Sequence, residues 1–162
     1  MPAGGPRRPY RQRVTLADYF VEFADSPAPY LQHDDGYRSW EYTYAQVGAA
    51  ARNFSVKLQS EGIGKGDKVI FWSENRPEWV AAFWGCVIAG VIVVPIDYRT
   101  SGDFLGRVHD KVKARAILIG DEVGLQKLDK FPAVWRISNL DWASSCSTRP
   151  AVTTKGTYGF QS

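Results

Sequence analysis

The order of secondary structure is decided by residues 68–95, which read KVIFWSENRPEWVAAFWGCVIAGVIVVP. Residues 68–72 carry four consecutive apolar side chains and predict a strand buried on both faces of a sheet. Asn75 is a favourable N-cap for the helix that follows, and the proline two residues later suits a first helical turn. That helix is predicted to end at Gly90. The β-branched run at 91–94 then predicts a second strand, which the next proline ends.

The same alternation continues along the chain. Ser101 is predicted to cap an amphipathic helix, and residues 116–119, AILI, predict a third buried strand. Strands joined in sequence by helices run parallel, with right-handed crossovers. The sequence therefore predicts an α/β fold, in which helices cover a mainly parallel sheet.

A capped helix and a short β-hairpin precede these units. Thr43 and Gln46 are spaced as a capping box, and Gly62 lies where a left-handed residue would end the helix. The pair Asp35-Gly36 predicts a two-residue hairpin turn. The hairpin strands are predicted at 29–33 and 37–42, and a further short helix at 14–24.

Two segments invite a different interpretation. The segment Gly62–Asp67, GIGKGD, has the composition of a phosphate-binding loop. Such loops follow a strand and open a helix, whereas this one follows a helix and precedes a strand, so we interpret it as a turn. Residues 79–96 contain no charged side chain. This uncharged stretch is as long as the shortest membrane-spanning helices, about 18 residues. Two glycines and a β-branched run interrupt that stretch, so we predict a buried helix and strand, with no transmembrane span.

Composition and charge exclude several classes of protein. With 162 residues, of which 44% are hydrophobic and 23% charged, the chain has the composition of one globular domain. The net charge of +3 arises at the ends, where residues 1–13 contain four arginines and no acid. A nucleic-acid surface needs basic side chains on one folded face, so we expect no nucleic-acid partner. The predicted divisions are a disordered basic tail at 1–13, a folded part at 14–142 and an irregular polar tail at 143–162.

Few side chains have the spacing that catalysis or metal binding needs. His33 and His109 lie in different elements with no acid or cysteine at ligand spacing, and Cys86 is predicted to be a core residue. Ligand contact is expected at two turns, 73–75 and 95–99, because ligands of open parallel sheets bind beyond the carboxyl ends of strands. Turn and helix-capping roles are the alternative interpretation of these residues.

Four segments occur in order along the chain: WEYTYAQV at 40–47, GIGKGDKV at 62–69, SENRPEW at 73–79 and AGVIVVP at 89–95. Together they resemble the opening of the adenylate-forming (AMP-binding) enzymes, the superfamily of acyl-CoA synthetases, peptide-synthetase adenylation domains and luciferases. The likeness covers about residues 15–123 and is nearest to long-chain fatty-acid–CoA ligases. It identifies residues 14–142 as part of the N-terminal subdomain of an AMP-binding domain.

The resemblance implies a parent enzyme that activates a carboxylic acid, a fatty acid in particular, with ATP and then transfers the acyl group to coenzyme A. That chemistry needs a Gly/Ser/Thr-rich loop with a lysine, Mg²⁺, an acidic residue for the ribose and a lysine from a mobile C-terminal domain. All of these belong downstream of the matched region, and Thr153–Thr157, TTKGT, resembles the loop in composition alone. We therefore expect no catalytic, cofactor-binding or metal-binding residue in this chain, and no activity from it alone.

On this interpretation the chain is an N-terminal fragment of an AMP-forming acyl-CoA synthetase, as a truncated or frame-shifted gene would give. The expected partners are the carboxylic acid, ATP and coenzyme A of the parent, and the missing C-terminal part of the same fold. The expected location is the cytoplasm, and peripheral association with a membrane is compatible with it. The alternative is a standalone α/β nucleotide-binding or interaction module without catalytic activity.

Overall fold

The computed structural model describes residues 14–123, 128–140 and 151–154, and helices alternate with strands from residue 44 to residue 119. The helices are α1 (Leu16–Phe23), α2 (Tyr44–Ser60), α3 (Pro77–Ala89) and α4 (Gly102–Val112), with a 3₁₀ helix at Ile137–Asn139. The strands are β1 (Pro29–Asp34), β2 (Arg38–Thr43), β3 (Lys68–Trp72), β4 (Ile92–Ile96), β5 (Ala116–Ile119), β6 (Val134–Arg136) and β7 (Ala151–Thr154).

The strands form two sheets. β4, β3, β5 and β6 lie side by side in that order, and each neighbouring pair is parallel. In the smaller sheet, β2 pairs antiparallel with β1 on one side and with β7 on the other. The predicted fold class, an α/β fold with a helix-covered parallel sheet preceded by a β-hairpin, is confirmed.

The parallel sheet is buried on both faces, because alternate residues of a strand point to opposite sides. On one face, Phe71 and Leu118 pack with Phe54 of α2, and α3 lies beside them. On the other face, Ile70 packs with Leu105 of α4. All five side chains are nearly or fully removed from solvent. Burial on both sides explains why the strand sequences are continuously apolar rather than alternating.

Local signals place several element ends as predicted. Thr43 Oγ1 accepts a hydrogen bond from the Gln46 N–H at 3.2 Å, and Gln46 Oε1 accepts one from the Thr43 N–H at 2.8 Å, which completes the capping box of α2. Gly90 ends α3 with a φ of 70°, in the left-handed region. The strands predicted at 68–72 and 116–119 are found with those bounds.

The structure also decides the two ambiguous segments. Gly62–Asp67 is a turn between α2 and β3, in which the Asp67 carboxylate accepts a hydrogen bond from the Gly64 N–H at 2.9 Å. Residues 79–96 divide between α3 and β4. Within the described ranges, no helix has the length and apolar character that a membrane crossing requires.

Two boundaries differ from the prediction. The N-cap residue of α3 is Arg76 and not Asn75, and no side chain caps this helix. A residue before proline is driven to extended backbone, which makes Arg76 the last non-helical residue. Pro95 lies inside β4 instead of ending it. Among the described strands β4 lies at one edge of the parallel sheet, where a residue without an N–H is tolerated.

The β1–β2 turn lies one residue further along than predicted. Asp34 pairs with Ser39, so the central turn residues are Gly36 and Tyr37. The Asp35 carboxylate accepts hydrogen bonds from two backbone N–H groups of the turn, at 2.9 and 2.7 Å. These bonds lower the pKa of Asp35 and hold it at the first position of the turn.

Strands β6 and β7 were not apparent from sequence. β7 falls in the segment 143–162, for which irregular structure is predicted, and pairs with β2 from Arg38 to Glu41. The predicted basic tail at 1–13 and the rest of the 143–162 segment lie outside the described residues. The division of the chain at 14–142 stays a prediction.

Candidate functional site

The carboxyl ends of β3, β4 and β5 meet at one edge of the parallel sheet, as their parallel pairing requires. Ser73–Asn75 follows β3, Asp97–Arg99 follows β4, and Gly120 and Asp121 follow β5. Polar and charged side chains therefore converge on this edge from three separate parts of the chain. We refer to it as the carboxyl-edge site.

Both turns predicted to contact a ligand line one cleft at this edge, with a volume of about 320 Å³. The structure thus brings together the two segments that the sequence singled out. Trp79 of α3 also lines the cleft, whereas the sequence predicted only a buried helix in this region. The lining residues are Ser73, Asn75, Trp79, Pro95, Ile96, Asp97, Tyr98 and Arg99.

The charges in this cleft are already paired. Arg99 Nη2 and Nε donate to the two carboxylate oxygens of Asp97, at 2.9 and 3.1 Å. The hydrogen bonds from Arg99 lower the pKa of Asp97, and those to Asp97 raise the pKa of Arg99. Both side chains are exposed, so the pair stabilises the turn only weakly.

A larger cavity of about 610 Å³ opens at the same edge, toward the β1–β2 hairpin. Glu74 lines this cavity with its carboxylate, and the residue is only 8% exposed. Glu74 Oε1 accepts a hydrogen bond from the Asp121 N–H at 3.1 Å, and Oε2 accepts one from the Glu122 N–H at 3.4 Å. Glu74 therefore ties the loop after β3 to the loop after β5.

Arg76 links this carboxylate to two others. Its Nη1 donates to Glu74 Oε1 at 3.3 Å and to Asp121 Oδ2 at 2.7 Å, and its Nε donates to Glu78 Oε2 at 3.2 Å. Burial alone would lower the pKa of Arg76, but the bonds and charges of Glu78, Glu74 and Asp121 outweigh it and raise that pKa. The guanidinium stays charged at any physiological pH and organises the acidic side of the cavity.

Asp121 is also held from the β6 side. Ser138 Oγ donates to Asp121 Oδ1 at 2.9 Å, and Arg136 Nη1 lies 3.6 Å from the same oxygen. The hydrogen bond from Ser138, followed by the charge of Arg76, lowers the pKa of Asp121. A depressed carboxyl pKa stabilises the fold above the unfolded-state value, and that stabilisation is lost as the pH falls through the folded-state value.

We expect Asp121→Asn to remove this acid dependence. The Asp121 side chain is 43% exposed, so solvent screens its ion pairs. The substitution should therefore lower the free energy of unfolding at pH 7 by about 1 kcal/mol or less. The unsubstituted chain should lose stability below about pH 4, near the ordinary pKa of an Asp carboxyl, and it should lose more than the variant does. Urea unfolding between pH 7 and pH 3 measures both. Parallel pH profiles for the two proteins would contradict this role, and Ser138→Ala should give an intermediate profile.

The other sequence candidates do not join the site as reactive groups. Cys86 is buried in the core, as predicted, and burial raises the pKa of its thiol to about 12. His33 lines the larger cavity, whereas His109 lies on α4 against Phe131. Within residues 14–123, 128–140 and 151–154, no three or more His, Cys, Asp or Glu side chains are grouped so that they could hold a metal ion.

Sequence reasoning missed the network of Glu74, Arg76 and Asp121. Arg76 and Asp121 lie 45 residues apart, so no local spacing joins them. Glu74 and Asp121 each lie two residues beyond a strand that contains four apolar residues, and that position was the signal available in the sequence. A charged residue beyond the carboxyl end of a buried strand faces its counterparts on neighbouring parallel strands.

Comparisons with known proteins agree with this architecture. Residues 21–154 match the family described as AMP-binding enzyme. The chain is 39% identical over 81 residues to a medium/long-chain-fatty-acid–CoA/3-oxocholest-4-en-26-oate–CoA ligase of Mycobacterium marinum, a match over 44% of this chain and 15% of the relative. It is 30% identical over 122 residues to 4-coumarate–CoA ligase 3 of Oryza sativa subsp. japonica, over 74% of this chain and 22% of that protein.

A solved structure shares the fold. The fatty acid AMP ligase from Legionella pneumophila superposes with a TM-score of 0.67 at 25% identity, over 85% of this chain and 26% of that one. The chain therefore spans less than a quarter of the length of the two curated relatives, and about a quarter of this structural neighbour.

Proposed function

Because the chain belongs to the AMP-binding enzyme family, we propose that it forms the N-terminal part of an AMP-forming acyl-CoA synthetase. The parent activates a carboxylic acid, a fatty acid in particular: the carboxylate attacks the α-phosphate of ATP, acyl-adenylate forms and pyrophosphate leaves. The thiol of coenzyme A then displaces AMP. The family match over residues 21–154 carries this proposal, and the names of the Mycobacterium and Legionella relatives support the fatty-acid class.

The chain contributes a scaffold to this reaction. The carboxyl-edge site forms one wall of the substrate cleft, and the contacts among Glu74, Arg76 and Asp121 hold the loops after β3 and β5 together. Arg76 and Arg99 each already bind carboxylates of this chain, so neither is held ready for a phosphate. We propose that the groups that bind ATP, Mg²⁺ and coenzyme A are supplied by the rest of the parent, which acts in the cytoplasm.

We expect the purified chain to catalyse no ATP–pyrophosphate exchange. The assay contains Mg²⁺, ATP, labelled pyrophosphate and one of several fatty acids, and the whole Mycobacterium marinum relative is the positive control. Incorporation into ATP should equal the protein-free blank for this chain and exceed it for the control. Exchange above the blank with any fatty acid would show that the chain holds its own catalytic groups.

Calorimetric titration with ATP separates this proposal from the standalone nucleotide-binding module. A wall of a larger cleft makes too few contacts for tight binding, so we expect no saturable heat at millimolar ATP. Saturable binding of ATP without exchange would favour the standalone module instead.

A further inference from the structure

The amino edge of the parallel sheet, where its strands begin, lies opposite the carboxyl-edge site. The turn before β3 and the segment that joins the end of α4 to β5 both lie at this edge. These two segments, 64–68 and 110–115, contain five basic residues, all exposed except the half-buried Lys68. We refer to these residues as the basic edge: Lys65, Lys68, Lys111, Lys113 and Arg115.

The pairing of the strands aligns part of the basic edge in one row. Lys68 pairs with Ile92 of β4, and Arg115 precedes the residue of β5 that pairs with Val69. The Arg115 N–H donates to the Lys68 carbonyl oxygen at 2.8 Å. Alternate residues of a strand point to the same side, so Ile92, Lys68 and Arg115 share the α4 face of the sheet. Neighbouring strands lie about 4.8 Å apart, so two cations and an isoleucine fall within about 10 Å.

The charge of the basic edge is not neutralised within the part of the chain that the structure describes. None of the ion pairs among the described residues includes a member of the basic edge. At the carboxyl edge, by contrast, Arg76, Arg99 and Arg136 are all paired with carboxylates. Asp67 and Asp110 are the acids of segments 64–68 and 110–115, and five cations against these two leave an excess of three positive charges.

A helix dipole accounts for only part of this excess. Lys111 and Lys113 lie at the C-terminal end of α4, where a cation interacts favourably with the dipole of the helix. Lys65, Lys68 and Arg115 lie outside the helices, so the dipole gives no reason for their charge. These three cations are therefore the ones that most need a partner from outside the chain.

Exposed aliphatic side chains border the basic edge. Ile88, near the end of α3, is 36% exposed, and Ile92, the first residue of β4, is 48% exposed. The Ile92 N–H donates to the Asp67 carbonyl oxygen at 2.8 Å, so β4 begins directly beside the turn that carries Lys65. An isoleucine gains nothing from a free phosphate or from a nucleic-acid backbone. It gains from the boundary between lipid headgroups and acyl chains.

We propose that the basic edge binds the surface of an anionic bilayer, with its cations against the lipid phosphates and with Ile88 and Ile92 at the headgroup boundary. The opposite edge carries the carboxylates of Glu74, Glu78 and Asp121, which the same surface repels. The two edges together orient the sheet with the carboxyl-edge site toward water. The inference does not rest on the proposed function, since binding needs neither ATP nor the rest of a parent enzyme.

Vesicle flotation with the full chain tests the proposal. Phosphatidylcholine vesicles that contain about 30% phosphatidylserine are compared with pure phosphatidylcholine vesicles. We expect at least tenfold stronger binding to the anionic vesicles, and a loss of that preference between about 0.1 and 0.5 M NaCl as salt screens the charges. Equal binding to the two kinds of vesicle, or binding to neither, would overturn the proposal.

The N-terminal arginines are a competing source of attraction, because residues 1–13 contain four of them. The measurement is therefore repeated on the full chain with Arg7→Gln, Arg8→Gln, Arg11→Gln and Arg13→Gln. We expect the preference for anionic vesicles to persist in this background. Its loss would assign the attraction to residues 1–13 and overturn the proposal.

Charge-matched variants in the same background locate the surface. Lys65→Gln with Arg115→Gln removes two cations of the basic edge, and each such cation strengthens binding about fivefold, so binding should weaken at least tenfold. Arg38→Gln with Arg107→Gln removes the same charge from two exposed residues, one on β2 and one in the middle of α4. This control should weaken binding less than threefold. Equal effects of the two double variants would overturn the proposal.

The isoleucines distinguish a bilayer from another polyanion. Ile88→Gln with Ile92→Thr should weaken binding to anionic vesicles at least threefold, because apolar contact with the headgroup boundary is lost. Glutamine suits an exposed helix position and threonine an exposed strand position, and circular dichroism melts check that the variant folds. Unchanged vesicle binding by this variant would overturn the proposal. Tighter binding of the unsubstituted chain to duplex DNA than to anionic vesicles would assign the basic edge to a nucleic acid and overturn it as well.

Discussion

Replacing Gly120 with alanine is expected to lower the free energy of unfolding by about 3 kcal/mol, since over-packing of a closed site combines with loss of a buried charge pair. A Cβ at Gly120 would overlap Glu74 Oε2 and lie 2.7 Å from Glu74 Cδ and 2.8 Å from Ser73 Oγ. The backbone of Gly120 does not have a positive φ, so lack of space is the sole conflict. To admit the methyl group, Glu74 must leave the N–H groups of the loop after β5.

Urea unfolding measures this loss, and two comparisons make it specific. Gly64→Ala adds a methyl group where nothing lies within 4 Å, and should leave stability unchanged within about 0.5 kcal/mol. In a double-mutant cycle, Glu74→Ala should remove most of the cost of Gly120→Ala, because the overlapping carboxylate is gone. Additive effects of the two substitutions would show that the conflict at Gly120 does not involve Glu74.

The parallel sheet was predictable because its signals are local. Residues 69–72 and 116–119 are short apolar runs buried on both faces, and such runs have well-defined ends. The α2 capping box is likewise a property of two residues three positions apart. β6 gave no such signal, since its three residues are all half-buried and belong to the sheet only through pairing with β5.

The candidate site was likewise predictable only in part, since its position follows from a local signal and its side-chain contacts do not. The rule that ligands bind beyond the carboxyl ends of parallel strands located both turns of the cleft. It could not show that Asp97 and Arg99 neutralise each other, because that contact depends on the side-chain conformations. Nor could it show that Arg76 joins Glu74 to Asp121, because Arg76 and Asp121 lie 45 residues apart. The sequence therefore predicts the position of such a site, but not which of its charged side chains are free to bind a ligand.

Replacing Gly85 with alanine is expected to destabilise the chain by about 3 kcal/mol, because α2 and α3 are in direct backbone contact at this residue. A Cβ at Gly85 would lie 2.8 Å from the Ala51 carbonyl oxygen, and 2.9 and 3.0 Å from Phe54 Cδ1 and Cβ. A backbone oxygen and a Cβ cannot move without their helix, so α2 and α3 must separate. Phe54 and Leu118 would then lose their close packing at the centre of the core.

Gly106→Ala is the matched control for a glycine within a helix. Its Cβ would meet only the end of the Lys130 side chain, with Nζ at 3.1 Å, and that flexible end can move away. Alanine also favours a helix over glycine by about 1 kcal/mol, so Gly106→Ala should be neutral or stabilising. Thermal and urea unfolding of both variants measure the contrast. If Gly85→Ala proved as stable as Gly106→Ala, then α2 and α3 would not pack at this distance.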